Sequence, residues 1–201
     1  MNLQTADAPS AYLEASALID WHHPAIEAWT TAREAGGRAD ADIAREAFEF
    51  VRDGIAHSWD IGSRRVTASA SEVLEHKEGI CYAKSHLLAA LLRRQGIASG
   101  VCYQRLTLGD TPDTGYCIHA LNTVYLPSLS RWIRLDARGN KPGVDAQFSR
   151  GEERLAFSVR PEFGEVDYGI NYAEPPAIIT QTLEAHTDCR VMYARRLPTE
   201  L

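Results

Sequence analysis

Cys81 stands at the head of a run that reads Glu78-Gly79-Ile80-Cys81-Tyr82-Ala83-Lys84-Ser85-His86-Leu87-Leu88-Ala89-Ala90-Leu91-Leu92. Leu88, Leu91 and Leu92 recur at helical spacing and Gly96 is a stop signal, so a helix is expected to begin at or just after the cysteine. Gly79 is expected to turn the chain sharply, using backbone angles closed to other residues. A thiol at a helix N-terminus lies near unpaired backbone N–H groups and the positive end of the macrodipole. Both favour thiolate, the form that attacks electrophiles. Such a sulfur needs a base, and the base needs a group to orient it. His119 and Asp136 are the candidates.

The elements that must position them form a hairpin. Ile118 to Leu126 and Arg131 to Asp136 read as strands joined by Pro127-Ser128-Leu129-Ser130. A four-residue connection makes Leu126 face Arg131, Leu121 face Asp136, and His119 face Arg138. Side chains alternate with period two, so His119, Leu121 and Asp136 share a face. His119 and Asp136 are then diagonal neighbours, roughly 7–8 Å apart at Cα and within side-chain reach. A six-residue loop would place them directly opposite, and a bulge would separate them. The other face, Ile118, Ala120, Val124, Ile133 and Leu135, is apolar and expected in the core. A histidine and an aspartate on one sheet face are costly to bury unless paired. Paired, the carboxylate fixes the imidazole tautomer and raises its basicity.

The bulk properties narrow the surroundings. The chain has 201 residues, enough for one domain with a real core, and a formal net charge of −6. That charge argues against nucleic acid as a partner. No apolar run approaches ~20 residues, so no membrane partner is expected. The first residues lack the basic start and apolar core of a signal peptide, making a cytoplasmic location the default. Cys81, Cys102, Cys117 and Cys189 form no CxxC pair and are expected as free thiols. Cys102 and Cys117 read as small core residues. A zinc site from Cys102, Cys117 and His119 lacks a fourth ligand, and no metal or organic cofactor is expected.

Along the chain, Leu18-Ile19-Asp20-Trp21 suggests a short strand, and Pro24 to Glu34 a helix with proline in its first turn. His22 and His23 suit surface or capping roles. Asp40 or Asp42 is expected to cap a helix running to about Arg52. Ile55 to Ala70 reads as an irregular loop and cleft wall. Ser71 is expected to cap a helical turn ending at His76. Ser99 to Leu106 reads as a strand. Residues 144–170 suggest one or two more strands, and a helix follows from Ala177 to Ala185. The tail after Cys189 reads as basic and peripheral. The division expected is a core at about 40–172 and a C-terminal helix and tail at 173–201.

On these residues the sequence resembles the transglutaminase-like superfamily, in particular its bacterial single-domain members of cysteine-protease type. The match runs from Glu78-Gly79-Ile80-Cys81 through Leu91-Leu92 to Gly96-Ile97, then His119-Ala120, then Trp132 and Leu135-Asp136. The family often carries tryptophan after His-Ala, where this chain has Leu121. It also favours a small polar or proline-containing turn where this chain has Ala137. The resemblance implies an α+β, papain-like fold, with the cysteine helix packed on an antiparallel β-sheet. It implies Cys81 as nucleophile, His119 as general base and acid, Asp136 as orienter, and acyl transfer or amide hydrolysis through a thioester. The implied partner is a peptide or protein substrate.

The oxyanion formed in such a reaction needs preorganised donors. The backbone N–H of Cys81 is one, and Trp59 or His57 on the upstream loop is a weaker second. Lys84 reads as an exposed helical lysine. His86, roughly 140° around the helix from Cys81, is badly placed for a base. Glu165, Asp167, Tyr168 and Tyr172 are candidates to line a cleft. Two other readings compete: a catalytically silent binding domain of the same fold, and an acyltransferase with another donor, such as an arylamine N-acetyltransferase.

Overall fold

The helix that begins at Cys81 lies at the middle of the molecule, in a computed structural model that describes residues 3–33 and 36–201. In chain order the elements are β1 (Gln4–Thr5), α1 (Pro24–Thr31), α2 (Asp40–Gly54), β2 (Ala56–His57), α3 (Ala70–His76), β3 (Glu78–Gly79) and α4 (Cys81–Arg94). They continue with β4 (Ser99–Thr107), β5 (Tyr116–Leu126), β6 (Arg131–Leu135), β7 (Val166–Asp167), β8 (Ile170–Asn171), α5 (Ala177–Glu184) and α6 (Cys189–Arg195). The expected end of α1 at Glu34 lies outside the described residues.

A four-stranded antiparallel sheet, in the order β6-β5-β4-β7, carries α4 on one face. Val124, Leu126, Ile133 and Leu135 of that face join Leu87, Leu88, Leu91 and Leu92 of α4 in one apolar core. Ala44, Phe48 and Val51 of α2 and Val73 of α3 close the core from the helix's other side. A second core holds Ile118 and Ala120 of the sheet with Ile179, Leu183 and Met192 of α5 and α6. The apolar face expected of the hairpin is therefore core.

Being covered all round, α4 buries every residue from Cys81 to Arg93. Lys84, expected on the surface, is 1 % exposed. Its Nζ donates to the carbonyls of Ile55 at 2.5 Å and Arg138 at 2.9 Å, with Arg52 at 3.4 Å. A buried ammonium is tolerable only with such partners. Burial pulls its pKa down to about 7, helped by the Arg138 charge. Polar ties then dock the helix on β5: Tyr82 Oη donates to Ile118 O at 2.8 Å, and Asn122 Nδ2 to Ser85 O at 2.8 Å.

Several local expectations need correction. Gly79 is not in a left-handed conformation; the positive φ falls on Lys77, at 56°. Gly79 sits in β3, where a Cβ would meet Thr67 Oγ1 at 3.1 Å and Ala83 Cβ at 3.3 Å. Space, not turning freedom, is what its missing side chain supplies. Leu18–Trp21 forms bends rather than a strand. The cap of α3 is Ser69, in a reciprocal box with Glu72, and Ser71 lies inside the helix. The residue before α2 is Ala39, with no side-chain cap; Asp40 instead accepts from Ser128 N–H at 2.8 Å, tying the hairpin connection to the helix. His23 does cap α1, accepting from Ala25 N–H.

The second face of the sheet is also covered. The strands that residues 144–170 carry are only the short β7 and part of β8, beside a 3-10 turn at Pro161–Phe163, yet the segment lies across His119, Arg134 and Asp136. Arg134, 6 % exposed, is held between Glu153 and Asp167. The C-terminal segment is not peripheral either. Met192 is fully buried, and Pro198 O accepts from Ile118 N–H at 2.9 Å.

Candidate active site

The hairpin register has the expected value. Leu126 pairs with Arg131 and Asn122 with Leu135, across a short turn that ends on Ser130 in the left-handed region. The ladder stops at Leu135, and Asp136 follows on the face that carries His119. His119 Nε2 and Asp136 Oδ2 are 2.8 Å apart. Asp136, 1 % exposed, also accepts from Ala156 N–H at 3.0 Å and Arg138 N–H at 3.2 Å. Burial alone would raise the carboxyl pKa; the His119 charge and these hydrogen bonds outweigh it and hold the group ionised.

His119 shows the reverse balance. Burial would push its pKa down, but Asp136 and then the Cys81 sulfur raise it to about 10. With Nε2 committed to the carboxylate, Nδ1 is the nitrogen left to exchange a proton. Phe157 covers the ring edge-on, with centroids 5.2 Å apart.

Cys81 is the first residue of α4, so its N–H has no acceptor within the helix. It is 8 % exposed and lines a cleft of about 520 Å³ together with His57, Cys117, His119, Arg138 and Tyr193. Three expected residues, Cys81, His119 and Asp136, thus converge. Trp59 does not: the residue is 41 % exposed and its ring stacks on Tyr193 at 4.6 Å, outside the cleft lining. Of the four residues expected in the cleft wall, only Glu165 is there, held ionised by Arg160 and Thr107. Asp167 pairs with Arg134, and Tyr168 and Tyr172 pack on the second core.

Sequence reasoning missed Cys117, Arg138 and Tyr193. Cys117 lines the cleft, but burial pushes its thiol pKa up to about 12, leaving it protonated. Arg138 donates to both oxygens of Asp60, at 2.7 and 2.9 Å, and closes the cleft beside His57. A basic residue two positions past Asp136 was the available signal. His86, fully buried, bonds Ala68 O through Nδ1 and is remote from this chemistry. Among the described residues no group of three or more His, Cys, Asp or Glu side chains is placed to hold a metal. None of the described helices is long and apolar enough to cross a membrane.

A cysteine at the tip of a central helix, facing a buried His–Asp pair on an antiparallel sheet, defines an α+β protein of papain-like and transglutaminase-like architecture. The chain belongs to the transglutaminase-like superfamily, whose core model matches residues 27–137. Two solved structures are similar. One, a putative cysteine protease from Cytophaga hutchinsonii, is 20% identical, with 68% of this chain and 46% of that one covered and a TM-score of 0.46. The other is the periplasmic domain of TgpA from Pseudomonas aeruginosa bound to ethylmercury, 18% identical, with 66% and 50% covered and a TM-score of 0.46. The matched part of this chain thus spans about half the length of each. No curated protein matches the chain.

Proposed function

We propose that the protein is a cysteine-dependent acyltransferase or amide hydrolase that works through a thioester on Cys81. The buried His119–Asp136 pair, opening onto the cleft that holds Cys81, is the observation that carries this reading. Asp136 fixes the ring with Nε2 as donor, so Nδ1 can take the thiol proton. The sulfur attacks an amide or ester carbonyl. Protonated His119 then gives its proton to the leaving group, and water or an amine resolves the thioester. The substrate is a peptide or protein acyl donor.

Because His119 is raised to about 10, its protonated form, the acid that serves the leaving group, persists well above neutrality, and kcat/KM should fall on the alkaline side only near that pH. The decisive test is acylation by p-nitrophenyl acetate, followed by intact mass and peptide mapping. Acyl adducts should form on Cys81 and vanish in Cys81→Ala while the fold stays intact. Equal acylation of that variant would refute the thioester.

A further inference from the structure

Among the described residues that line the cleft, His57 alone has buried polar atoms without a hydrogen-bond partner: both of its ring nitrogens. The side chain is 4 % exposed. Its position is set by backbone pairing. β2 runs parallel to β3, with Ala56 N–H donating to Lys77 O at 2.9 Å and Ser58 N–H to Gly79 O at 3.2 Å. His57 therefore lies beside Gly79, two residues ahead of the nucleophile, and Tyr193 holds its ring edge-on at 5.7 Å.

A neutral imidazole carries one N–H donor and one acceptor. Leaving such groups buried and unpaired is costly, because the desolvation of each is not repaid. A cost of that kind calls for a reason, and a bound group that completes the hydrogen bonds is one. Burial and the Arg138 charge hold the pKa of His57 well below the ordinary histidine range. The ring is then a poor proton carrier at neutral pH and a good uncharged donor. His119, in the same cleft, is shifted the opposite way. Two titratable groups pushed apart in this manner divide the labour between them.

We infer that His57 donates a ring N–H to the substrate carbonyl oxygen as Cys81 attacks, sharing that oxygen with the Cys81 backbone N–H. The inference rests on the thioester reading. In the step, the Cys81 Sγ–carbon bond forms and the carbonyl π pair moves onto oxygen. The His57 proton stays on nitrogen while its hydrogen bond to that oxygen strengthens. Collapse restores the carbonyl and expels the leaving group, which takes its proton from His119. This places the second oxyanion donor on His57 and not on Trp59, whose ring stacks outside the cleft.

The test separates acylation from alkylation. His57→Phe keeps a flat ring and removes both nitrogens; His57→Gln keeps an uncharged N–H donor. Acylation of Cys81 by p-nitrophenyl acetate should fall on the order of 10²–10³-fold in His57→Phe. Alkylation of Cys81 by iodoacetamide, which needs thiolate but develops no oxyanion, should stay within about twofold. His57→Gln should recover part of the acylation rate, and the Tm of His57→Phe should not drop, since an orphaned buried polar group is gone. Should His57→Phe not fold, His57→Gln against His57→Met makes the same comparison. Unchanged acylation in the Phe or Met variant overturns the inference. So does a matched loss of acylation and alkylation, which would assign His57 to thiol ionisation or to the fold. A parent protein alkylated at Cys81 but never acylated there would instead overturn the thioester reading, and this inference with it.

Discussion

The two sides of the cleft are built in opposite ways. His119 and Asp136 sit on or next to a continuous antiparallel ladder, where each residue's face and partner follow from the register. His57, Arg138 and Tyr193 sit on a two-residue strand, a segment past a ladder's end, and a seven-residue helix. Their places depend on distant groups: Lys84 on the Ile55 and Arg138 carbonyls, Asp60 on Arg138, and Pro198 on the Ile118 N–H. A ladder transmits position through its period, so the His119–Asp136 pair is specified locally. The opposite wall is assembled from buried polar ties, each of which is costly to break.

The sharpest break of this contrast is on the ladder side. Asp136→Asn keeps the shape of the side chain but removes the charge that steadies His119, and it admits the wrong tautomer. Acylation of Cys81 should fall on the order of 10²–10⁴-fold, with circular dichroism unchanged. A loss under threefold would mean that the pair is structural.

The next effect is on the other wall and appears in stability. His119 is raised from 6.5 to about 10, so its contribution is complete below pH 6.5 and lost as pH rises through about 10. Lys84 is lowered from 10.5 to about 7, so its charged form burdens the fold below pH 7 and stability recovers as pH rises toward 10.5. Between pH 7 and 10 the two slopes oppose each other. In Lys84→Met the His119 slope stands alone, and Tm should drop between pH 7 and 9.5 by about 2–4 °C for each kcal/mol lost. A flat profile in the variant would contradict this linkage.

Tyr193→Ala removes the ring against which His57 and Trp59 both rest. KM for a peptide substrate should rise several-fold while kcat changes less, measured by steady-state kinetics. The smallest effect belongs to Trp59→Ala. Its ring is exposed and outside the cleft, so acylation should stay within about twofold and stability within about 0.5 kcal/mol. A large loss of acylation there would restore Trp59 as an oxyanion donor and blur the distinction between the two walls.

The sequence by itself determined the helix that starts at Cys81, the stop near Gly96, the hairpin register and the meeting of His119 with Asp136. They rest on periodicities of 3.6 and 2, on a glycine stop and, for the register, on a connection taken as four residues long, which are local quantities. Family membership was legible for the same reason, since its motifs fall on those elements. The burial of Lys84, the cover that residues 144–170 lay over the second sheet face, and the return of the C-terminal segment to β5 were decided only in the tertiary structure. In each case a polar or irregular stretch that reads as surface is buried because backbone carbonyls, N–H groups or charges far along the chain satisfy it. No local pattern records where such partners will lie. Gly79 belongs with them: the sequence marked it as special, but only the packing of Thr67 and Ala83 around it showed that room for a side chain was what had to be absent.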